Sequence, residues 1–119
     1  MLELPWPPSN NTYYRRVGAK TLISAKGRDY CKAVTAHCLA AGVRKTEGRL
    51  QVAIVACPPD RRRRDLDNML KGLLDALTHG GAWDDDSQID HLTIQRGPIK
   101  AGGVVTVSIE QIQAAGEAA

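Results

Sequence analysis

The most restrictive feature of this sequence is a run of regularly spaced apolar residues in its second half. They recur at intervals of three and four residues, at Leu66, Met69, Leu70, Leu73, Leu74 and Leu77. This is the period of an amphipathic helix, and it predicts a helix over residues 66–79 that ends at Gly80 and Gly81. Because such a helix must bury its apolar face, the rest of the chain has to cover that face.

Shorter apolar runs on both sides of this helix predict strands. The predicted strands are residues 2–4, 50–57, 88–96 and 104–110. Residues 97–103 are expected to join the last two strands as a hairpin, and a basic hairpin is predicted around Gly18. Ser24 is the expected N-cap of a second helix that ends near Ala41, and residues 9–11 have the composition of a turn. We therefore expect an α+β fold, in which a small mixed β-sheet carries two main helices on one face.

Length and composition limit the domain organisation and the location. A chain of 119 residues makes one domain, spanning 1–119, and its last residues, 112–119, are expected to fray. With no Phe and 4% aromatic residues, the core is expected to be aliphatic. No apolar run approaches the ~18 residues of a membrane span, so no membrane partner is expected. Cys31, Cys38 and Cys57 form no CxxC pair, which favours buried thiols in a reducing cytoplasm over a metal site.

The charges are distributed unevenly along the chain. Residues 1–64 carry 13 Lys and Arg against 4 Asp and Glu, whereas residues 65–119 carry 3 against 9. The boundary falls inside one string, DRRRRDLD, at residues 60–67. A basic segment directly beside acidic residues favours an anionic partner that approaches a metal-loaded carboxylate site. The alternative is that the two sets of charges neutralise one another.

Carboxylates gather at both ends of the predicted helix. Asp65 and Asp67 lie at its start, and residues 84–86 (DDD) follow its end. Asp65 could cap the helix, Asp67 could interact with its dipole, and Asp67 and Asp75 could each pair with Lys71 at i,i+4 spacing. Asp65 and Asp67 also suit Mg²⁺, which takes few protein carboxylates and completes its shell with water and substrate phosphate. We favour the metal hypothesis because four consecutive arginines, able to bind phosphates, immediately precede Asp65.

The chemistry that fits these residues is hydrolysis of a phosphodiester. Mg²⁺ can lower the pKa of the attacking water and neutralise the departing oxygen. Lys71, one turn beyond Asp67, could hold the scissile phosphate or steady the attacking water. The three histidines are scattered, and no local spacing indicates a Ser–His or Cys–His pair. The chain has no GxxxxGK[ST] motif, so no nucleotide cofactor is expected.

In these same residues the chain resembles the RusA family of Holliday junction resolvases, crossover junction endodeoxyribonucleases that are common in prophages. The resemblance covers nearly the whole chain and would give it a RusA-like fold. Its motifs occur in the order LPWPPSNN at 4–11, YYR at 13–15, RRRDLDN at 62–68, Lys71, DALT at 75–78, WDDD at 83–86 and GG at 102–103.

The resemblance implies specific roles. It places metal-binding catalytic aspartates at Asp65, Asp67 and Asp86 and an essential lysine at Lys71, with Asp85 as a residue that supports the metal ligands. It implies a homodimer that binds four-way junction DNA and uses Mg²⁺ to place paired symmetric nicks, in DNA recombination and repair. The expected DNA contacts are Arg15, Arg16, Arg61, Arg62, Arg63 and Arg64.

The sequence departs from the family pattern in two ways. Asp84 adds a charge at the variable position of the WDDD motif, and the chain lacks Phe, so Tyr13, Tyr14 and Trp83 are the aromatic residues available at a junction centre.

Two other functions are compatible with parts of the sequence. A non-catalytic nucleic-acid-binding module would use the arginines for phosphates and the acids for capping. A metal-dependent phosphatase of small molecules could also use a DxD motif, but it does not explain so many arginines.

Overall fold

The computed structural model describes residues 1–112, which contain both strands and helices. The strands are β1 (Leu2–Pro5), β2 (Tyr14–Val17), β3 (Lys20–Ile23), β4 (Arg49–Cys57), β5 (Ile89–Arg96) and β6 (Val104–Ile112). The helices are α1 (Asn10–Tyr13), α2 (Ala25–Ala40) and α3 (Asp67–His79), with a 3₁₀ helix at Asp86–Gln88. The predicted frayed tail is wrong at Ile112, which pairs with Arg49 at the end of β6. The rest of that tail, 113–119, lies outside the described residues.

Four strands form one mixed sheet in the order β1-β6-β4-β5, and β2 pairs with β3 in a separate hairpin. β5 runs parallel to β4, whereas β6 runs antiparallel to both β1 and β4. Alternate residues of β4 are buried in one core with apolar residues of α2 and α3; they are Leu50, Val52, Ile54 and Ala56. One face of the sheet is therefore covered by helices, which confirms the predicted α+β class.

The last two strands do not form the predicted hairpin. β5 and β6 lie on opposite sides of β4, and the segment between them crosses the carboxyl end of β4. There the N–H of Gly97 donates to the carbonyl of Ala56 (2.8 Å), and the N–H of Lys100 donates to the carbonyl of Pro58 (2.9 Å). β4 is strongly apolar, and a central position satisfies its backbone hydrogen bonds on both sides. Because β5 runs parallel to β4, the carboxyl ends of these two strands meet at the same edge of the sheet.

The two long helices begin in different ways. α2 starts at the predicted N-cap, where the Ser24 hydroxyl accepts a hydrogen bond from the N–H of Gly27 (3.0 Å). α3 has Leu66 at its N-cap position and receives no hydrogen bond from a side chain there. The capping role that the sequence allowed for Asp65 is therefore wrong.

Tyr13 ends a short helix where the sequence predicted only a turn. The carbonyl of Ser9 accepts a hydrogen bond from the N–H of Tyr13 (2.8 Å), which closes one helical turn. The Tyr13 side chain is fully buried, and its hydroxyl lies 2.7 Å from the sulfur of Cys31. A Cβ added at Gly72 of α3 would lie 2.8 Å from the Tyr13 ring. The close packing of α3 on Tyr13 therefore depends on the absence of a side chain at Gly72.

Substitution of Gly72 by alanine tests this packing. We expect the free energy of unfolding to fall by about 1–3 kcal/mol, because an extra methyl group overpacks the contact with Tyr13. Helix propensity alone predicts the opposite change, a gain of about 1 kcal/mol. Thermal and urea unfolding of both proteins distinguish the two, and a variant at least as stable as the parent would show that Tyr13 moves aside freely.

Aromatic residues contribute more to the core than the composition suggested. Trp83 is fully buried, and its Nε1 donates to the hydroxyl of Thr78 (2.6 Å). Tyr30 is also buried and donates to the carbonyl of Pro5 (2.7 Å), and burial raises the pKa of its hydroxyl. The expectation of an aliphatic core is therefore incomplete. Of the three aromatic residues that the sequence offered for contact with a ligand, burial also removes Trp83 and Tyr13, which leaves Tyr14.

Cys31, Cys38 and Cys57 are buried and free, in agreement with the prediction of buried thiols. Burial raises the pKa of the Cys38 thiol.

Within residues 1–112, no helix combines the length and the apolar character needed to cross a membrane.

Candidate active site

Asp65 and Asp67 lie at the start of α3, where the chain arrives from the carboxyl end of β4. Both residues are exposed, and within residues 1–112 neither carboxylate has a hydrogen-bond or salt-bridge partner. Asp67 offers only its backbone carbonyl, which accepts from Asn10 Nδ2 (3.2 Å). Lys71 forms a salt bridge with Asp75 (3.1 Å) and not with Asp67. Capping and ion pairing therefore do not account for this carboxylate pair, whose oxygens are free to bind a ligand.

The loop of residues 58–66, the arginine loop, surrounds an open cavity of about 440 Å³ with its four arginines. Arg96, at the carboxyl end of β5, lines the same cavity and donates through Nη2 to the carbonyl of Arg64 (2.9 Å). Arg64 donates to the carboxylate of Asp60 (2.7 Å), and this bond, with a second from the N–H of Arg62, lowers the pKa of Asp60 to about 2. Asp60 thus holds the loop together, and a large excess of positive charge faces the cavity.

A second cavity, of about 320 Å³, is lined by Arg63, Arg64 and Asp65 at the end of the arginine loop. Trp6 forms part of its wall, and the guanidinium group of Arg64 lies 5.8 Å from the centre of the Trp6 ring. The sequence analysis did not single out Trp6 or Arg96 as site residues. Arg96 could have been found from its position at the end of a strand, had the parallel pairing of that strand with β4 been predicted.

Asp86 lies at the opposite end of α3 from the carboxylate pair. It begins the 3₁₀ helix, in which Gln88 donates to two backbone carbonyls just before β4 (3.2 and 2.9 Å). Asp86 is therefore at the amino end of β4, whereas Asp65 and Asp67 follow its carboxyl end. The 13 residues of α3 between these positions span roughly 20 Å. Among the residues that the structure describes, no three His, Cys, Asp or Glu side chains form a potential metal cluster. One copy of the chain does not assemble the implied three-aspartate set.

Asp85 has a structural role in the 3₁₀ helix. Its carboxylate accepts from the N–H of Ser87 (3.1 Å), and its own N–H donates to the side chain of Gln88 (3.0 Å). The hydrogen bond from Ser87 lowers the pKa of Asp85. The neighbouring Asp84 forms an exposed salt bridge with Lys45 (2.9 Å). These contacts fix the turn that presents Asp86, and they leave the support of a metal by Asp85 as a prediction.

Lys71 lies one turn beyond Asp67, on the face of α3 opposite the leucines. Its Nζ donates to Tyr14 Oη and to Asp75 Oδ2, both at 3.1 Å, and Tyr14 also donates to this carboxylate. The bonds to Tyr14 and Asp75 raise the pKa of Lys71, while burial and the bond to Asp75 raise the pKa of Tyr14 to about 12. The pairing of Lys71 with Asp75 was predicted from their i,i+4 spacing and is confirmed, but no local signal connects Tyr14 with a lysine 57 residues away.

The remaining predicted arginines, Arg15 and Arg16, lie on the β2–β3 hairpin. With Lys71 they line a third cavity, of about 500 Å³. They do not line the two cavities of the arginine loop. The structure therefore divides the predicted DNA contacts into two basic surfaces, one beside Asp65 and one beside Lys71.

The fold and the site together define a class of protein. A small mixed sheet covered by helices presents a free carboxylate pair at the start of one helix, between two basic surfaces. Such carboxylates suit a hard divalent cation, and clustered arginine and lysine suit phosphate groups. This combination is typical of proteins that act on polyanions such as nucleic acids.

Comparison with known proteins identifies the family. Residues 5–110 match the family model described as endodeoxyribonuclease RusA. The chain is 44% identical over 116 residues to the crossover junction endodeoxyribonuclease rusA of Enterobacteria phage HK97, with 92% of each chain covered. It is 40% identical to the RusA of Shigella sonnei (strain Ss046) and 37% identical to that of Escherichia coli (strain K12), each over 115 residues and 93% of both chains. The chain belongs to the RusA endodeoxyribonuclease family, which confirms the resemblance seen in its sequence.

Proposed function

We propose that this chain is a crossover junction endodeoxyribonuclease that resolves four-way DNA by paired symmetric nicks during recombination and repair. The observation that carries the proposal is the exposed pair Asp65 and Asp67, whose carboxylates have no partner among residues 1–112 and which lies between two basic surfaces. The named activity of its relatives supports the same function. A protein that only binds DNA would gain nothing from two unpaired carboxylates beside the phosphate backbone, because they repel it.

Asp65 and Asp67 are the residues that we propose to hold Mg²⁺. Their donor set fits this ion, because two exposed carboxylates, unpaired within the described part of the chain, leave room for water and a phosphate oxygen. When bound, the metal supplies the charge that activates a water molecule and stabilises the departing oxygen. Hydrolysis by this route requires no nucleotide cofactor.

The basic residues of the chain bind and orient the DNA backbone. The arginine loop and Arg96 surround one cavity, and each guanidinium group can donate two parallel hydrogen bonds to a phosphate. Arg15 and Arg16 offer the same chemistry on the hairpin. Lys71 has three N–H donors, of which Tyr14 and Asp75 use two. The third is available for the scissile phosphate or the attacking water.

A three-substrate assay tests the proposal. The protein is incubated with a labelled four-way junction, a linear duplex and p-nitrophenyl phosphate, each in EDTA and in Mg²⁺. We expect paired nicks at symmetric positions, in the junction and in Mg²⁺. Binding of the junction without nicking in Mg²⁺ would instead identify a non-catalytic module, and release of nitrophenol would identify a phosphatase.

We further propose that the chain acts as a homodimer. Paired nicks in strands of like polarity require two sites related by a two-fold axis, and a C₂ dimer provides them. The distance of Asp86 from Asp65 and Asp67 within one copy gives a second reason, because a second copy can bring its own Asp86 to the pair. Light scattering is expected to give twice the 12.9 kDa chain mass for the free protein, and that mass plus the mass of one junction for the complex. A monomer under both conditions would contradict the proposal.

Mixing two inactive variants tests whether the site is shared. Dimers that combine one Asp67→Asn subunit with one Asp86→Asn subunit contain one intact site if the carboxylates come from different copies. They contain none if all carboxylates come from the same copy. Recovery of single nicks on mixing is therefore expected, whereas continued inactivity of mixed dimers would place all ligands in one subunit.

A further inference from the structure

Three polar side chains meet on the exposed face of α3. Lys71 Nζ lies 3.1 Å from both Tyr14 Oη and Asp75 Oδ2, and Tyr14 Oη donates to the same carboxylate, so each group contacts the other two. We propose that Tyr14 and Asp75 are positioning residues, which hold the ammonium group of Lys71 in the orientation that the cleavage reaction needs. This inference rests on the proposed nuclease function.

The side chain of Lys71 needs such support because 65% of it is exposed to solvent. A lysine has a flexible four-carbon stem, and holding it in one conformation costs rotamer entropy. Two hydrogen bonds and the Tyr14 ring, whose centre lies 4.2 Å from Nζ, restrict the ammonium group on several sides. The one N–H donor that remains then points in a defined direction.

An ion pair with Asp75 alone would hold Lys71 only weakly. Exposed i,i+4 ion pairs are weak in water, so such a pair leaves many lysine rotamers populated. Tyr14 differs because it comes from a distant segment and is half-buried. Its hydroxyl joins the lysine and the aspartate from a second direction, so it converts a loose pair into a closed set of three contacts.

The segment that carries Tyr14 is itself fixed to α3 on both sides of Lys71. Asn10 donates through Nδ2 to the carbonyl of Asp67 (3.2 Å) and accepts at Oδ1 from the N–H of Gly72 (3.3 Å). The ring of Tyr14 lies 4.7 Å, centre to centre, from that of the buried Tyr13. The position of Tyr14, and with it that of Lys71, therefore depends on the docking of this segment.

Conservative substitutions separate positioning from folding. Tyr14→Phe keeps the ring and removes the hydroxyl, and Asp75→Asn keeps the shape and removes the charge. Each is expected to slow single-turnover nicking of a four-way junction by about tenfold, since misplacement of a reacting group by 1 Å can cost about a hundredfold. Junction affinity in EDTA and the melting temperature are expected to stay close to those of the parent protein. Tyr30→Phe is the matched control, because it removes a tyrosine hydroxyl that bonds to the carbonyl of Pro5 in the core.

A double-mutant comparison shows whether Tyr14 acts through Lys71. Tyr14→Phe is expected to have no further effect on the nicking rate once Lys71 is replaced by methionine, with slow reactions followed to completion. An equal tenfold loss in both backgrounds would overturn the inference. So would parental nicking rates in Tyr14→Phe and Asp75→Asn when Lys71→Met is strongly impaired. Failure of the parent protein to nick junctions would instead refute the proposed function.

Discussion

Replacement of Asp67 by asparagine is expected to remove Mg²⁺-dependent nicking of four-way DNA while the protein stays folded. Asn keeps the shape of the side chain but loses one ligand charge, and a loss of roughly 3 kcal/mol in transition-state stabilisation slows a reaction by more than a hundredfold. Affinity for the junction in EDTA is expected to hold or to rise slightly, because one repulsion against phosphate disappears. Nicking rate, junction binding and melting temperature are measured on the same preparation.

The control for this experiment is Asp29→Asn, which removes the same charge from an exposed position on α2. It is expected to leave the nicking rate unchanged. If Asp67 instead served as a cap or an ion-pair partner, its substitution would lower stability by about 0.5–2 kcal/mol and leave cleavage largely intact. An Asp67→Asn protein that melts early and still cuts at a rate near that of the parent would refute the metal assignment.

The second large effect concerns the arginine loop and the salt dependence of binding. Replacing Arg61 and Arg63 with alanine is expected to flatten the slope of log K against log salt by about 1.8, because each phosphate contact contributes about 0.9. Affinity is expected to fall for the junction and the linear duplex alike, since phosphate contacts carry no shape or sequence information. Neither side chain has a hydrogen-bond partner within the part of the chain that the structure describes, so the fold is expected to remain intact.

Lys26 and Arg44 provide a matched control of equal charge. Both are exposed, and neither lines the cavities of the arginine loop or the cavity beside Lys71. Their replacement by alanine is expected to change the salt slope much less. If both double variants alter the slope equally, or if neither does, the arginine loop makes no specific phosphate contacts.

Local periodicity was sufficient to predict most elements of this fold. The leucine spacing of α3 and the apolar run of β4 are properties of contiguous residues, and each favours one type of secondary structure. The cap of α2 at Ser24 was predictable for the same reason, because its partner lies three residues away. The carboxylate pair was also found this way, since Asp65 and Asp67 are close in the sequence itself.

Features that depend on distant pairing could not be predicted. The placement of β6 beside β4 reflects competition among strands for a central position, and chain order favoured the wrong neighbour. Arg96 reaches the arginine loop only because β5 runs parallel to β4. Similarly, a DDD motif at the end of a helix does not reveal which edge of the sheet will carry Asp86. The contact of Tyr14 with Lys71 has the same origin, because two separate elements must first dock.

The β2–β3 hairpin stands apart from the main sheet, and all four residues of β3 are exposed. Two-stranded hairpins are only marginally stable by themselves in water. Local opening of this unit therefore costs less free energy than unfolding of the domain, and its amide protons should exchange with solvent sooner than those of β4. Because Tyr14 is the first residue of β2, each opening also frees the ammonium group of Lys71. Warming should thus inactivate the protein at temperatures where its core is still folded.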